Sequence, residues 1–356
     1  NIIGTSSGTT HDYYSFQAKA AEVISFDVYA SRIGSSMDPV LRLLTAAGDE
    51  LAYADDSDGL NSDCRFRHQF ATAGTYLIEV ADSGYKSGQP YALRIGNFPN
   101  VTTAFPLGIQ PGVEAAVGFT GPSRDEAQVS SIYENGNAVG TLLAVSARAA
   151  NSNASGMALA IAVSGVQAVE QEPNDEIKQA TPISLPGGAS GLLDQAGDVD
   201  LFKFQAEKGK RLRFRGYSRS LGSPAVVKYR VLKVDGTQLA AAAVTDEDEF
   251  VLSWVVPETG EYLLEAVDLL RRGGNNFGYL IAAEQGNSFS LSLKNDKATK
   301  NKYLVDAKLG AISFPVTVVR DGYDGPITIT TTNDIAGLQW YRNVIAKGAK
   351  AATVVV

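Results

Sequence analysis

Two parts of the sequence repeat each other at a fixed distance. The matched positions are separated by 188 residues (200 minus 12): residues 12–16 (DYYSF) with 200–204 (DLFKF), Phe26 with Phe214, Gly48 with Gly236, and Tyr91 with Tyr279. Most of these are strand residues or turn glycines, so the pattern predicts a scaffold of about 90 to 110 residues that occurs twice. A duplicated scaffold favours a binding or spacing module over two copies of one enzyme.

Composition favours a globular, all-β chain. Hydrophobic residues make up 44% of the 356 residues, which is ordinary for packed domains, and the 35 Gly and 13 Pro predict short strands joined by tight turns. No window is apolar over the length needed to cross a bilayer, so we expect no membrane span. The sequence begins without Met and shows no signal peptide, so we expect a trimmed chain from which a signal could have been lost.

The pattern of strands and turns predicts four tandem antiparallel β-sandwiches. The expected boundaries are residues 1–97 and 169–286 for the two copies of the repeat, with residues 98–168 and 287–356 as smaller sandwiches of the immunoglobulin-like type. Within the smaller segments, strands are expected at residues 113–119, 141–145, 157–163, 289–293, 316–319 and 327–331.

The overall charge argues against a nucleic-acid partner. The formal net charge is −8, although Lys210, Arg211, Arg213 and Arg215 form a local basic stripe. Because apolar residues alternate with the arginines, the arginines share the outer face of one predicted strand. This stripe is either a solvated edge or a contact for a polyanion.

Sequence motifs of common enzymes are absent. The two histidines, His11 and His68, cannot form a His-Glu-x-x-His helix or a His/Cys metal cluster, and no Gly-x-Ser-x-Gly elbow occurs. Asp82 begins an Asp-Ser-Gly sequence, but an aspartic-protease site needs a second one. Cys64, the single cysteine, excludes an intrachain disulfide and is expected to be a small, half-buried strand residue. We therefore predict that the chain is not an enzyme.

Several aromatic residues leave two interpretations open. They either stack on a sugar or protein ligand, or they pack in the cores, which their strand patterns favour: Tyr13, Tyr29, Tyr53, Tyr85, Tyr217, Trp254, Tyr262 and Trp340. A separate acidic loop contains Asp55, Asp56, Asp58 and Asp63. It begins like a calcium loop but lacks the glutamate at the twelfth position, so a solvated hairpin is the alternative.

The ordered motifs of the repeat resemble the bacterial pre-peptidase C-terminal domain. The resemblance lies in residues 12–16, 37–43 (MDPVLRL) and 74–80 (GTYLIEV) of the first copy, and in residues 172–175 (EPND), 197–204 (GDVDLFKF) and 260–267 (GEYLLEAV) of the second. This family is a jelly-roll module found beside secreted peptidases and in cell-surface proteins, including the collagen-binding modules of clostridial collagenases. The intervening segments resemble sandwich domains that alternate with this module in large planctomycete-type secreted proteins.

One acidic stretch has the chemistry of a cation site. Glu170, Glu172 and Asn174 are spaced by two, and Pro173 favours an extended Glu172, which would place all three side chains on one face. Calcium takes six to eight oxygen ligands from a flexible site. The resemblance implies that a calcium ion is held by Glu170, Glu172, Asn174, Asp175, Asp198 and Asp200. The alternative is a solvated turn, and no equivalent ion is expected in the first copy, where Thr10 replaces Asp198.

The predicted function is that of a non-catalytic binding or spacing region. We expect it to belong to a larger secreted or cell-surface bacterial protein, to be monomeric, and to contact extracellular protein, matrix or cell-wall polysaccharide. The alternatives are a carbohydrate-binding module of a polysaccharide-degrading protein and an accessory region of a secreted peptidase.

Overall fold

The computed structural model describes residues 1–133, 138–244, 249–293, 310–330, 337 and 339–356. The regular structure of these residues is β-strand apart from short 3-10 turns at Ser31–Ile33, Ile177–Gln179 and Arg219–Leu221, which confirms the predicted all-β class. The chain divides into two compact units. Residues 1–207, 214–252 and 258–284 form the first unit, and residues 208–213, 253–257 and 285–356 form the second.

The first sandwich of the first unit contains eight strands. They are β1 (Ile2–Ser7), β2 (Asp12–Ala18), β3 (Val23–Tyr29), β4 (Pro39–Thr45), β5 (Glu50–Ala54), β6 (Arg65–Gln69), β7 (Gly74–Asp82) and β8 (Ser87–Gly96). One sheet has the order β1-β8-β3-β6 and the other the order β2-β7-β4-β5. Phe26 and Leu93 from the first sheet pack with Leu41 and Ile78 from the second, so the apolar residues of alternating strands form one core.

A smaller six-stranded region follows. Its strands are β9 (Ala104–Phe105), β10 (Gly108–Ile109), β11 (Glu114–Phe119), β12 (Ser130–Tyr133), β13 (Leu142–Ser146) and β14 (Met157–Ala162). They form the sheets β12-β11-β9 and β10-β14-β13. Three of these strands lie within a residue or two of the segments predicted from the apolar runs. Val117, Leu143 and Ala160 are buried between the sheets.

The third region contains the residues predicted to form the second copy of the repeat. Its strands are β15 (Val166–Val169), β16 (Thr181–Pro182), β17 (Gly187–Leu192), β18 (Asp200–Ala206), β19 (Arg211–Tyr217), β20 (Val227–Lys233), β21 (Gln238–Ala241), β22 (Val251–Val255), β23 (Gly260–Asp268) and β24 (Gly278–Gln285). The sheets are β15-β17-β24-β19-β22 and β16-β18-β23-β20-β21. Without β15 and β16, each sheet has the strand order of its counterpart in the first sandwich. The two added strands pair in parallel with β17 and β18.

The six-stranded region and the third region share an apolar cluster. Leu107 and Ile161 of the former pack with Leu221 and Leu280 of the latter, and all four are buried. Ser190 of β17 is fully buried, and its hydroxyl accepts hydrogen bonds from the backbone N–H groups of Leu107 and Gly108. The start of β10 is therefore fixed against β17.

The second unit contains the last five strands. They are β25 (Ser288–Leu293), β26 (Ser313–Asp321), β27 (Ile327–Thr328), β28 (Val344–Ile345) and β29 (Ala351–Val355). The sheets are β25-β26-β29 and β27-β28, and Val316, Val318, Ile327, Ile345 and Val354 form their core. The strand predicted over residues 327–331 is described only in part, because residue 331 lies outside the described residues.

Candidate functional site

Glu170 is held at the point where the linker leaves β15. Its backbone N–H donates to the carbonyl of Ser190 at 3.0 Å, and its Oε1 accepts the backbone N–H of Leu192 at 2.6 Å. Both contacts are to β17, so the side chain is fixed against that strand. The second carboxylate oxygen, Oε2, is buried and has no hydrogen-bond partner.

Asp200 faces Glu170 from the first position of β18. It is fully buried, and its Oδ2 accepts the hydroxyl of Tyr279 at 2.5 Å, while Oδ1 is buried without a partner. Carboxylate oxygens of Glu170, Glu172 and Asp200 all lie within 4.8 Å of one another. Two β-strands and the linker thus bring together three carboxyl groups, two of which have an unsatisfied buried oxygen.

Asn174 lies beside these carboxylates. Its backbone N–H donates to Glu172 Oε2 at 3.0 Å, and its carbonyl accepts the N–H of Leu201 at 3.2 Å. The side chain is fully buried, yet neither Oδ1 nor Nδ2 has a partner. A buried amide without partners costs about 1 to 3 kcal/mol. We call Glu170, Glu172, Asn174 and Asp200 the candidate cation site.

The electrostatics of the candidate cation site oppose ionisation. Burial is the main cause that raises the pKa of both Glu170 and Asp200. The charge of Asp200 raises the pKa of Glu170 further. The charges of Asp198 and Glu172 likewise raise the pKa of Asp200. Such a group is neutralised either by protons or by a cation, and hard oxygen donors suit a divalent ion such as calcium.

The six residues expected as ligands do not all converge in the structure. Asp198 uses Oδ2 to accept the N–H of Asp194 at 2.7 Å and Oδ1 to accept the N–H of Val199 at 3.0 Å, so both oxygens serve the turn before β18. Asp175 is exposed, although its charge contributes to raising the pKa of Glu172 and Asp198. Glu170, Glu172 and Asp200 form the converging group.

The predicted reason for this convergence is wrong in one respect. Residues 170–176 belong to no strand, and the chain bends at Glu172. The alternation of an extended strand therefore does not align Glu170, Glu172 and Asn174. Their positions depend instead on contacts with β17 and β18.

Three residues of the site were not predicted. Tyr279 donates to Asp200, and Asp194 raises the pKa of Glu172 and Asp198. Gly191 leaves room for the site, because a Cβ there would lie 2.4 Å from the Tyr279 ring and 2.5 Å from Glu170 Oε2. The repeat offset contained a signal for Tyr279, since it matches Tyr91 as Asp200 matches Asp12.

The first sandwich has the same tyrosine–aspartate pair without the linker carboxylates. Tyr91 donates to Asp12 Oδ2 at 2.6 Å and lies 2.7 Å from the hydroxyl of Tyr14. A different group of carboxylates lies in this copy, where Asp38, just before β4, meets Asp55 and Asp56 of the acidic loop. Two of these three are exposed, which fits a solvated hairpin.

A row of polar and aromatic side chains crosses the outer face of the β2-β7-β4-β5 sheet. Strand pairing aligns Tyr13 with Glu79, Glu79 with Arg42, and Arg42 with Tyr53, so one residue of each strand stands in the row. Tyr13 and Tyr53 at its ends are 53% and 49% exposed. Three strand spacings separate the two rings by about 14 Å. We call these four residues the aromatic row.

The middle of the aromatic row is charged and ordered. Glu79 is only 4% exposed, and its Oε1 lies 2.8 Å from His11 Nδ1 and 3.6 Å from Arg42 Nη1. A hydrogen bond to Glu79 raises the pKa of Tyr13, and the Arg42 guanidinium lies 5.8 Å from the centre of the Tyr53 ring. The row therefore offers two aromatic surfaces with hydrogen-bonding groups between them.

The other aromatic residues have different positions. Tyr85 is exposed at a hairpin, Tyr29, Tyr217 and Trp340 are half-buried, and Trp254 and Tyr262 are buried, as core packing requires. The matched position of Tyr13 in the second copy is Leu201, which is 3% exposed. The face-exposed aromatic row is thus a feature of the first copy.

Other residues considered from the sequence have structural roles. Asp63 accepts the N–H groups of Ala30 and Ser31 and pairs with Arg32 at 2.7 Å. Asp82 accepts the backbone N–H groups of Gly84 and Lys86 in its own hairpin and that of Asp38 before β4. Cys64 was expected to be a half-buried strand residue. It is fully buried just before β6, and burial raises the pKa of its thiol.

The basic stripe is partly used within the second unit. Arg211 forms an ion pair with Asp321 at 2.9 Å. No helix among the described residues has the length and apolar character to cross a bilayer.

Comparison with known proteins gives local similarity. No family model matches the chain. Over 71 residues, 20% of this chain, the sequence is 42% identical to a protein described as a probable subtilase-type serine protease of Deinococcus radiodurans, and the match spans 10% of that protein. This chain therefore corresponds to a small part of the relative's length.

Solved structures give weak likenesses. The pre-peptidase C-terminal domain of a Bacillus anthracis collagenase matches 32% of this chain and 99% of its own, with 13% identity and a TM-score of 0.26. The tandem CBM22-1-CBM22-2 domain of Paenibacillus barcinonensis Xyn10C matches 80% and 92%, with 10% identity and a TM-score of 0.18. Similarity at this level does not extend to a ligand or an activity.

Proposed function

We propose that this chain is a non-catalytic binding and spacing region of a larger secreted or cell-surface bacterial protein, with calcium holding its linker at residues 170–183. The observation that carries the proposal is the candidate cation site. Unsatisfied buried oxygens of Glu170 and Asp200 and the unpartnered amide of Asn174 meet where the linker enters the second copy of the repeat.

Calcium suits this site better than magnesium. Glu170, Glu172, Asp200 and Asn174 can each offer oxygen, and Asp175 and Asp198 lie close enough to affect the pKa of Glu172. The groups come from a bent linker and a strand end, an irregular arrangement that matches calcium's flexible coordination. Magnesium demands near-ideal octahedral geometry and keeps most of its water.

Calorimetric titration of the EGTA-treated chain with CaCl2 tests the ion. We expect one saturable site in the first unit, weaker binding of MgCl2, and at least a tenfold loss of affinity in Glu172→Gln. Glu172 is exposed, so this variant retains its fold. Glu176→Gln, which removes a nearby exposed carboxylate, is the matched control and should bind as the parent does. No heat of binding together with no change in thermal unfolding would overturn the calcium proposal.

The ligands that we propose are extracellular protein, matrix or cell-wall polysaccharide, bound at the aromatic row. Two exposed tyrosine rings about 14 Å apart fit an extended polymer, and Arg42, Glu79 and His11 between them supply donors and acceptors. The exposed rings specifically support the alternative of a carbohydrate-binding module, because sugar C–H faces stack on such surfaces.

Co-sedimentation with insoluble polysaccharides and with fibrous matrix protein tests the face. Tyr13→Ala with Tyr53→Ala should abolish binding to whichever polymer is bound, and the identity of that polymer separates the two alternatives. Tyr85→Asn is the control, because it removes an exposed tyrosine outside the row and asparagine tolerates the positive φ of 54° at that position. Binding that survives loss of both row tyrosines would contradict the assignment.

A position beside a secreted peptidase is the second alternative. It is supported by the local similarity to the probable subtilase-type serine protease. The complete reading frame tests it, since a peptidase domain and a secretion signal in the same protein are expected.

A further inference from the structure

A groove in the second copy is lined by more basic than acidic side chains. It has a volume of about 350 Å³ and lies on the outer face of the β18-β23-β20-β21 strands, next to the hairpin that follows β23. Its lining includes three basic residues, Lys228, Arg230 and Arg271, against two carboxylates, Glu265 and Asp268. The basic residues of the lining exceed the acidic ones by one, whereas the chain as a whole has a net charge of −8.

The carboxylates of the groove are already neutralised. Glu265 receives Nε and Nη2 of Arg230 at 2.6 and 2.8 Å. Asp268 is paired with Arg272 and also accepts the N–H groups of Val226 and Leu270. Neither carboxylate is therefore left to neutralise a further cation in the groove.

Lys228 and Arg271 are the cations that remain. Neither side chain has a hydrogen bond or an ion pair with any residue that the structure describes. Lys228 is half-buried on β20, whereas Arg271 is exposed and adopts a positive φ of 58° in the hairpin. The hairpin is fixed by Asp268 and by the bond from the N–H of Gly197 to the carbonyl of Arg271. Arg271 is thus presented from an ordered backbone.

The first copy lacks these charges. Lys228 corresponds to Val40 and Arg271 to Tyr85, while the Arg230–Glu265 pair corresponds to Arg42 and Glu79. Since the shared scaffold does not require the two cations, their presence in one copy points to a ligand of that copy.

We propose that this groove binds an acidic polysaccharide, with Lys228 and Arg271 contacting its carboxylates. The inference deepens the proposed binding function and rests on it. A glycan fits because the Arg230–Glu265 pair and the Gln238 amide offer donors and acceptors to hydroxyl groups. The aliphatic side chains of Val199, Val267 and Leu269 line the same groove and suit the C–H faces of sugars. Guanidinium and ammonium groups supply the charge-assisted hydrogen bonds to carboxylate.

Binding of short oligosaccharides of alternating glucuronate and N-acetylglucosamine tests the proposal. The full chain should bind them, should bind a neutral dextran oligosaccharide of equal length at least tenfold more weakly, and should lose affinity as salt rises. Lys228→Gln with Arg271→Asn should reduce the affinity for the acidic glycan at least tenfold. Asparagine is chosen because it tolerates the left-handed backbone of residue 271.

The matched control removes the same charge elsewhere. Lys19→Gln with Arg148→Asn changes two exposed cations outside the groove and should leave the affinity unchanged. Equal losses in both double variants, or equal affinity for neutral and acidic glycans, would overturn the proposal. So would binding only to phosphatidylserine vesicles that is lost in Leu270→Ser, because Leu270 is the exposed apolar tip of the hairpin.

A second measurement covers a variant that fails to fold. In the unmodified chain, the acidic glycan should protect Lys228 from amine acetylation, read by mass spectrometry, while Lys19 stays reactive. Unprotected Lys228 at saturating glycan would refute the proposal. Tyr13→Ala with Tyr53→Ala should not alter this protection, so failure at the aromatic row and failure at the groove are separate results.

Discussion

Asp200→Asn should make the chain more stable, rather than less stable, when calcium is absent. The substitution keeps an oxygen that accepts the Tyr279 hydroxyl, and its new amide can donate to the unpartnered Oε2 of Glu170. Without calcium it removes one of two buried, converging carboxylates. We therefore expect the variant to be more stable than the parent chain in EGTA, which is rare for a change at a fully buried position.

The size of this gain follows from the geometry. Two carboxylates with oxygens within 4.8 Å repel by about 3 kcal/mol at an effective dielectric constant near 20, and proton uptake limits the cost actually incurred. A gain of about 1 to 3 kcal/mol raises Tm by about 2 to 4 °C per kcal/mol. Calcium at a hundred times its Kd would stabilise the parent by about 2.7 kcal/mol. The variant, lacking a charged ligand, should gain less than a quarter of that.

Scanning calorimetry with EGTA and with CaCl2 measures both effects. Asp12→Asn is the matched control, because Asp12 holds the equivalent position, accepts Tyr91, and has no linker carboxylate beside it. It should leave the calcium response intact. If Asp200→Asn lowers Tm in EGTA, or if its calcium-induced rise equals that of the parent, the assignment of these oxygens to a cation is refuted.

Three further outcomes are expected. In EGTA, the pKa values of the buried carboxyls of the candidate cation site are raised in the folded state. The protonated carboxyls therefore stabilise the fold fully below the ordinary carboxyl pKa, and this stabilisation is lost as pH rises through the raised values. Tm should fall as pH is raised from about 5 to about 8, and calcium should restore it. Gly191→Ala should lower the free energy of unfolding by about 1 to 3 kcal/mol and weaken calcium binding, because its Cβ would overlap Tyr279 and Glu170. Gly260→Ala, with open space around it, should lower the free energy of unfolding, measured in urea, by less than half as much. Leu280→Ala should lower the free energy of unfolding by about 2 to 5 kcal/mol in the same assay, because Leu280 is fully buried in the cluster shared by the six-stranded region and the third region. A loss below about 1 kcal/mol would contradict that packing.

Much of the fold was predictable because the relevant signals are local. Alternating apolar residues and turn glycines place β11, β13 and β14 within a residue or two of the predicted segments. The offset between Asp12 and Asp200 identifies the first residues of β2 and β18, which pair with the equivalent strands β7 and β23. The second strand of each such pair, β7 and β23, also begins at an equivalent glycine.

The candidate cation site was predictable in part. Its acidic residues were visible as a cluster of oxygen donors, but their selection depends on contacts between distant segments. Asp198 is occupied by two backbone N–H groups of its own turn, and nothing in its spacing from Asp200 distinguishes the two. Tyr279 lies 79 residues from Asp200, so only the repeat linked them. Gly191 has its role because β17 and β24 pair at that position, which strand pairing alone decides.

The two copies of the scaffold use the same sheet face differently, and the linker explains why. In the second copy, β16 pairs with β18, and Ala180 packs on Leu201 and Leu263, so the position that Tyr13 occupies openly in the first copy is covered. The carboxylates of the candidate cation site converge at the start of this linker. The covering linker and the exposed tyrosine are therefore alternatives at one edge of the scaffold. What stays open in the second copy is the opposite part of the face, where Lys228 and Arg271 line the groove. The two binding surfaces that we propose thus differ in chemistry, although the sheets that carry them share one strand order apart from the added strands.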